Sequence, residues 1–233
     1  MECVRACPAG CEVFNTYGQR SDAQLLHMYG FVLGCATNAR NSTLRLACPL
    51  VRDALAQAPP CGAAALRSRL AVAAAAGLLA DASLDDSEDG FVCFLADPLP
   101  RELVLLLALL HAPADCWQLI ARCCAEMEGG GVATLPALQG EAGETDSVEQ
   151  VLWHCLTGGS DDASTLLSLP VTAALRRLFA LRRAQYPEPE PRAPDKEAGA
   201  AIRWALELRR SELAILEAAL EALPRAGKRG RVA

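Results

Sequence analysis

Leucine and alanine supply most of the apolar side chains in this chain, and isoleucine occurs only at Ile120, Ile202 and Ile215. Aromatic residues make up 5% of the sequence. Leucine and alanine are strong helix formers, whereas β-branched and aromatic residues favour strands. The composition therefore predicts a mainly helical fold and argues against a β-sandwich or a β-barrel.

The length and charge of the chain narrow the class of protein further. Its 233 residues fit one large domain or two small ones. Apolar residues account for 52% of the chain, which is enough to form a buried core. The formal net charge is −6, so the chain lacks the overall basic character of a nucleic-acid-binding protein. We expect no direct nucleic-acid partner.

The apolar runs are too short to predict a membrane protein. The longest uninterrupted run, Leu103 to Leu110, is far shorter than the roughly 20 residues that a transmembrane helix needs. Arg67 and Arg69 interrupt the alanine-rich stretch at 63–80. The N-terminal sequence MECVRACPAGCE has no apolar segment typical of a secretory signal. We therefore expect an intracellular protein, in the nucleus or cytoplasm, with no membrane segment.

The chain contains eleven cysteines, none of them in a CxxC pair. Their odd number and the length of the chain argue against a secreted disulfide framework. The three histidines do not combine with cysteines at the spacing of a zinc site. We interpret most of the cysteines as small buried apolar residues and expect no metal.

Helical signals recur along the sequence. The capping box of Ser21 and Gln24 predicts a short helix at 22–29, and Gly30 is expected to end it. Further helices are predicted at about 49–57, 63–80, 101–111, 114–128, 145–156, 163–185 and 196–223, with Pro170 as a kink or boundary. A brief strand is predicted at 12–15. Three consecutive glycines at 129–131 should end the helix before them.

The last predicted helix has the clearest periodicity. Its apolar residues follow a 4-3 spacing from Ile202 to Leu223, and Arg209 occupies one position of the apolar seam. A seam this short favours packing against the chain's own helices, with a coiled coil as the alternative. A proline-rich linker at 187–194 precedes this helix, and a basic tail at 224–233 follows it.

The segment from Glu12 to Phe31 reads EVFNTYGQRSDAQLLHMYGF and places three aromatic residues around one turn and one short helix. Tyr17 lies at the end of the predicted strand, where its hydroxyl can project into a cleft. Tyr29 ends the helix beside Gly30, which permits a close backbone approach. From the residues alone, a role in the core and a role in a site are equally open.

This segment resembles the end of the SET domain in protein-lysine N-methyltransferases of the Rubisco large-subunit methyltransferase type, with particular likeness to the SET domain-containing protein six group. The likeness couples an N-T-Y-G turn, a Ser-initiated helix and a Y-G-F exit. Weaker likeness to the family's helical substrate-binding domain continues at 89–103, 175–186 and 205–216. The resemblance thus covers most of the chain.

The resemblance implies a mainly α fold in which a helical substrate-binding domain follows a short α/β remnant of a SET domain. Residues 1–34 would be the end of the SET domain, and residues 45–223 the substrate-binding domain. The implied activity is methylation of a lysine in a protein substrate, with S-adenosylmethionine as the cofactor.

The resemblance also implies roles for four residues. Tyr17 would be the catalytic tyrosine, and its hydroxyl would hold the lysine amine and the methyl group in line. Tyr29 and Asn15 would bind the substrate lysine. Phe31 would pack against the cofactor, because an aromatic face next to a sulfonium is favourable.

The chain departs from the family pattern before Tyr17. Family members carry a Gly-x-Gly cofactor segment and an Asn-His pair well upstream of the catalytic tyrosine, but no Asn-His dipeptide occurs in this sequence. Asp22 occupies a position where the family usually has Asn. We interpret the chain as the C-terminal portion of such an enzyme, without the cofactor-binding half. The alternative is a non-catalytic protein-interaction module derived from the substrate-binding domain.

Overall fold

A computed structural model describes residues 6, 8–11, 17–128, 133–134, 144–145, 147–186 and 199–224. Several predictions fall outside the described residues. They are the strand at 12–15, which includes Asn15, the glycines at 129–131, the linker at 187–194 and the tail from 225 onward.

Helices form most of the described chain. They are α1 (Asp22–Tyr29), α2 (Cys35–Asn38), α3 (Cys48–Ala56), α4 (Ala63–Ala75), α5 (Arg101–Leu110), α6 (Ala114–Glu128), α7 (Val148–Thr157), α8 (Leu169–Ala184) and α9 (Ala200–Ala222), with a 3-10 turn at Ala163–Leu166. Strand β1 (Thr43–Ala47) pairs antiparallel with β2 (Gly90–Phe94), and β3 (Ala133–Thr134) with β4 (Glu144–Thr145). The prediction of a mainly α fold with a short α/β part is confirmed.

The core is built around α5, in which every residue from Leu103 to Leu110 is buried. A helix that is apolar on all sides has to be surrounded by other elements. Helices α4, α7 and α8 and the 3-10 turn contact it. The inner face of the β1–β2 pair belongs to the same core through Leu44, Leu46 and Phe91.

Neither β1 nor β2 is among the predicted elements. Each strand has only five residues, and only alternate ones are buried, namely Leu44 and Leu46 in β1 and Phe91 and Cys93 in β2. So few alternating positions are hard to distinguish from a loop in the sequence. Gly90 allows the two backbones to approach closely, because a Cβ atom there would lie 2.5 Å from the carbonyl oxygen of Leu46.

The predicted helix boundaries hold to about one turn except at the start of α8 and at the end of α4, which is predicted to reach residue 80 and ends at Ala75. Gly77 has a φ of 74°. This left-handed conformation is typical of the residue that follows a helix, and alanine-rich composition alone gives no sign of it. Residues 163–185 divide into the 3-10 turn and α8, and Pro170 lies in the first turn of α8, as a boundary.

Arg69 of α4 is buried and caps α5. Its Nη1 donates to the carbonyl oxygens of Leu109 (3.1 Å) and Leu110 (2.6 Å), and its Nη2 donates to that of Ala112 (2.9 Å). The last carbonyls of a helix have no partners within the helix and favour a cation. The guanidinium group therefore satisfies the end of the most buried helix.

The second half of α9 packs against the rest of the chain. Ile215, Leu216 and Ala219 are fully buried, whereas Ile202 near the start of the helix is 57% exposed. Helix α9 contacts β1, α8, α1 and α2. The interpretation that this helix packs on its own chain is confirmed for its second half.

Two of the segments that resemble the family meet between α8 and α9. The hydroxyl of Tyr186, just after α8, donates to the carboxylate of Glu212 in α9. Arg182 Nη2 lies 3.3 Å from Glu212 Oε2, and its guanidinium carbon lies 4.8 Å from the centre of the Tyr186 ring. Burial and the hydrogen bond to Glu212 raise the pKa of Tyr186, so the hydroxyl stays a donor at neutral pH. The interactions of Glu212 with Tyr186 and Arg182 therefore join α9 to the end of α8.

The interpretation of most cysteines as buried apolar residues holds for four of the nine that the structure describes. Cys48, Cys93, Cys123 and Cys124 are buried. Burial raises the pKa of Cys48 and of Cys93 to about 12, so these thiols are protonated at neutral pH and have little nucleophilic character.

Among the described residues, no single helix has both the length and the apolar content needed to cross a membrane. Helices α5 and α6, which meet at an angle of 109°, satisfy those two criteria only as a bent pair.

We predict that Leu216→Asp unfolds the protein or lowers its free energy of unfolding by more than about 3 kcal/mol, because it buries a charge in the core. Ile202→Asp, in the exposed half of the same helix, is the matched control and should change stability little. Thermal and urea unfolding measure both variants. If Leu216→Asp keeps its melting temperature and only reduces self-association, the seam of α9 is intermolecular.

Candidate functional site

Helix α1 forms with the predicted boundaries at both ends. The Gln24 amide donates to Ser21 Oγ (3.2 Å), and the Ser21 amide donates to Gln24 Oε1 (3.0 Å). Gly30 has a φ of 76°, and its amide donates to the carbonyl oxygen of Leu26. These caps place Tyr29 at the last helical position and Phe31 directly after the turn.

The three aromatic residues singled out in this segment lie together. The ring centres of Tyr17 and Tyr29 are 4.5 Å apart, those of Tyr17 and Phe31 are 5.4 Å apart, and those of Tyr29 and Phe31 are 6.4 Å apart. These distances are typical of interacting aromatic pairs. We call Tyr17, Tyr29 and Phe31 the aromatic cluster. Asn15, the fourth residue of the expected site, lies outside the described residues.

The aromatic cluster is open to solvent. Tyr17 is 48% exposed and Tyr29 is 44% exposed, while Phe31 is partly buried. Met28 and Leu33, on the same helix and the segment after it, are also about half exposed. A core role therefore does not hold for either tyrosine. Exposed apolar side chains grouped in this way are typical of a binding surface.

A buried carboxylate organises the backbone around the cluster. Asp22, the first residue of α1, is 1% exposed. Its Oδ1 accepts hydrogen bonds from the Leu33 amide (3.2 Å) and from Asn38 Nδ2 (2.9 Å), and its Oδ2 accepts from Ser211 Oγ (3.4 Å). A carboxylate at the start of a helix also interacts favourably with the helix dipole. Asp22 thus connects α1 with the segment after Phe31, with α2 and with α9.

Asn38 extends this network to the segment before α1. Its Nδ2 also donates to the carbonyl oxygen of Arg20 (3.0 Å), and its Oδ1 accepts from Asn41 Nδ2 (2.9 Å). Ser42 Oγ donates to the carbonyl oxygen of Asn38 (3.1 Å). The backbone on both sides of α1, which carries Tyr17 and Phe31, is therefore held by one set of buried hydrogen bonds.

No motif in the sequence indicates Asn38 as a site residue, and Asp22 stands out there only as a departure from the family pattern. The position of Asp22 after the Ser21 cap indicates a favourable helix start, which is a local signal. Its partner Ser211 lies 189 residues away, and no pattern in the sequence connects the two.

The cluster contains two phenol hydroxyls and three aromatic rings that pack against one another. Aromatic faces suit a cation such as a methylsulfonium group. With both tyrosines close to half exposed, the cluster by itself does not exclude water. Over the residues that the structure describes, no group of three or more His, Cys, Asp or Glu side chains is placed to hold a metal ion.

Comparison with known proteins gives one informative similarity and one negative result. Over 116 residues, the chain is 33% identical to the bovine (Bos taurus) protein named N-lysine methyltransferase SETD6. The match covers 49% of this chain and 25% of that protein, so the chain spans about a quarter of the relative that it matches. No protein-family model matches the chain. The similarity supports a relation to SET-domain lysine methyltransferases.

We predict that Asp22→Ala lowers the free energy of unfolding by about 2–4 kcal/mol, because it leaves the Leu33 amide and the Asn38 side chain without their acceptor. Asp22→Asn keeps one acceptor oxygen and should lower the free energy of unfolding by less than about 1 kcal/mol. Asp115→Ala, at an exposed acid in the first turn of α6, is the control.

Urea denaturation measures stability, and near-ultraviolet circular dichroism reports the packing of the tyrosine rings. Asp22→Ala should reduce the tyrosine signal in the folded state, whereas Asp22→Asn should preserve it. An Asp22→Ala protein as stable as the control variant would contradict the role assigned to this carboxylate.

Proposed function

We propose that this chain forms the catalytic-tyrosine end and the helical substrate-binding part of an S-adenosylmethionine-dependent protein-lysine N-methyltransferase of the Rubisco large-subunit methyltransferase type. The observation that carries the proposal is the contact of Tyr17, Tyr29 and Phe31 in one solvent-accessible cluster. The similarity to a lysine methyltransferase over about half of the chain supports it.

Lysine methylation makes demands that such a cluster can meet. An ordinary lysine amine has a pKa near 10.4 and is protonated at neutral pH, so it has to lose a proton before it can attack. The attack also requires the amine, the methyl group and the leaving sulfur to lie in line, which makes positioning the main contribution of the protein. When bound, S-adenosylmethionine supplies the methyl group as a sulfonium.

Each residue of the cluster has a separate task in this proposal. The hydroxyl of Tyr17 accepts a hydrogen bond from the substrate amine and directs its lone pair. The ring of Tyr29 lines the channel for the lysine side chain, together with Asn15. Phe31 holds the cofactor through its ring face. Asp22 acts as a positioning residue, because its bonds hold the backbone that carries the rings.

In the proposed division of the chain, residues 1–34 are the end of a SET domain and residues 45–223 bind the protein substrate. Helix α9 contacts α1, α2 and β1, and Ser211 of α9 donates to Asp22. The helical part is therefore attached directly to the segment that carries the aromatic cluster. This attachment supports the idea that a protein held on the helical part can present a lysine to Tyr17.

The exposure of the cluster favours a second candidate function. In a non-catalytic interaction module, the same rings would contact a partner protein and would not line a reaction channel. The encoding transcript discriminates between the two functions. An in-frame Gly-x-Gly and Asn-His segment upstream of Met1 would support the enzyme.

We predict that the purified 233-residue chain binds S-adenosylmethionine weakly, with a Kd above about 100 μM. The reason is that Phe31 and its neighbours offer one side of a binding site, and the two tyrosines leave that side open to water. Isothermal titration calorimetry measures the affinity, with Phe31→Ala as the control. A Kd in the low micromolar range that Phe31→Ala weakens would show that these residues build a complete pocket.

We predict that Tyr17→Phe lowers the rate of methylation by at least about a hundredfold or changes the number of methyl groups added, because one hydroxyl that acts in the transition state is lost. Tyr29→Phe should have a smaller effect if its ring alone lines the channel. Single-turnover assays on the protein that the transcript encodes measure both rates, and thermal unfolding confirms that both variants fold.

The two candidate functions predict different results for the Tyr17→Phe variant. In the enzyme, Tyr17→Phe leaves the melting temperature nearly unchanged, since Tyr17 is about half exposed, and abolishes most turnover. Wild-type turnover in the Tyr17→Phe variant would remove the catalytic assignment.

A further inference from the structure

One edge of β2 has no strand beside it in the described part of the chain, since β2 pairs only with β1. The Cys48 amide donates to the carbonyl oxygen of Asp89 (3.1 Å), in the same register that pairs the two strands. Backbone groups in an antiparallel pair point alternately toward and away from the partner strand. Phe91 and Cys93 therefore face β1 with their backbone groups, and Val92 directs its N–H and C=O to the open edge.

The side chains along this edge are apolar and exposed. Val92 is 41% exposed and Phe94 is 40% exposed, while Phe91 and Cys93 between them are buried in the core. Exposed strand edges are usually protected by lysine, by proline or by a covering element. The exposed positions of β2 carry neither of those residues. The outward amides of Gly90 and Phe94 already donate to Asp89 Oδ1 and to the Asp97 carbonyl oxygen, so Val92 is the residue of β2 that offers its backbone groups to another strand.

A cleft of about 410 Å³ lies alongside the same strand. It is lined by the segment 77–80, by β2 with Asp89 before it, and by Glu102 of α5. This volume is within the range of ligand-binding pockets. The open edge and the cleft together form a surface that we call the β2 groove.

The two charged residues that line the cleft, Asp89 and Glu102, are both acidic. Residues 77–102 contain seven acids and one basic residue, Arg101. Two basic residues from elsewhere in the chain lie beside this segment, Arg45 opposite Val92 and Arg52 in an ion pair with Asp85, so the acids still outnumber the basic residues. Asp89 accepts hydrogen bonds from the Ala80 amide (3.0 Å) and the Gly90 amide (2.8 Å), which lower the pKa of its carboxyl and keep it ionised. The first turn of α5 contributes the exposed carboxylate of Glu102. A cationic occupant complements this surface.

We propose that the β2 groove binds an extended basic segment of a partner protein, which adds to the open edge of β2 as a further strand. The backbone of Val92 supplies the main-chain hydrogen bonds, and apolar side chains of the segment pack on Val92 and Phe94. Lysine or arginine side chains of the segment interact with Asp89 and Glu102. This docking surface is separate from the aromatic cluster and does not depend on methyl transfer by the chain.

The test measures binding of labelled peptides to the purified 233-residue chain by fluorescence anisotropy. The probe is a fluorescein-labelled octapeptide of alternating lysine and valine, and the matched peptide has glutamate in place of lysine. A third peptide carries N-methyl groups on alternate residues and cannot pair along one edge. We expect the lysine peptide to bind with a Kd below about 1 mM and the other two to bind at least about tenfold more weakly.

Variants locate the binding to β2. Val92→Pro removes the outward N–H of this residue and spares the hydrogen bonds to β1. Val92→Lys places a positive charge, which repels the lysine peptide, on an exposed side chain. Each should weaken binding of the lysine peptide at least about tenfold, and Glu102→Gln should weaken it about threefold. Ile202→Lys and Glu217→Gln change exposed residues of α9 and should leave the affinity unchanged. Thermal unfolding checks that each variant is folded.

Several results would overturn the proposal. They are absence of binding up to about 1 mM peptide, equal binding of the N-methylated peptide, and unchanged affinity in Val92→Lys. Sedimentation of the free chain tests a second copy as the occupant. If the chain dimerises, fails to bind the peptide and becomes monomeric with Val92→Lys, the edge pairs two copies and the peptide proposal is wrong.

Discussion

The carboxylate of Asp22 is the contact on which the organisation around the aromatic cluster depends. A buried charge is costly unless hydrogen bonds satisfy it, and Asp22 meets that requirement with donors from the Leu33 amide, Asn38 and Ser211. These donors come from different parts of the chain, so satisfying one carboxylate brings those parts together. Tyr17 and Phe31 lie on either side of α1, next to the backbone that this network holds.

The core imposes a second constraint, because α5 is apolar on every side and has to be enclosed. Helices α4, α7 and α8 enclose it, and Arg69 closes its C-terminal end. The β1–β2 pair contributes only its inner face to this core, which leaves Val92 and Phe94 on the outside. The same packing that buries Leu44 and Phe91 thus creates the β2 groove.

The two proposed surfaces use different physical chemistry. The aromatic cluster combines hydroxyls and ring faces, which suits the orientation of an amine beside a sulfonium cation. The β2 groove combines the outward backbone groups of Val92 with two carboxylates, which suits a basic segment in an extended conformation. A methyltransferase that acts on proteins needs both an orienting site and a surface that holds its substrate, and the two proposals remain separately testable.

Local interactions in the sequence determine α1 completely, because the Ser21–Gln24 capping box and Gly30 act within a few residues of the helix. The motif around Tyr17 also identifies the three rings of the cluster. Tertiary structure alone decides that the tyrosines are exposed, that Asp22 reaches Ser211 and that β2 has an open edge. Each of these depends on contacts between residues far apart in the sequence, which composition and periodicity do not encode.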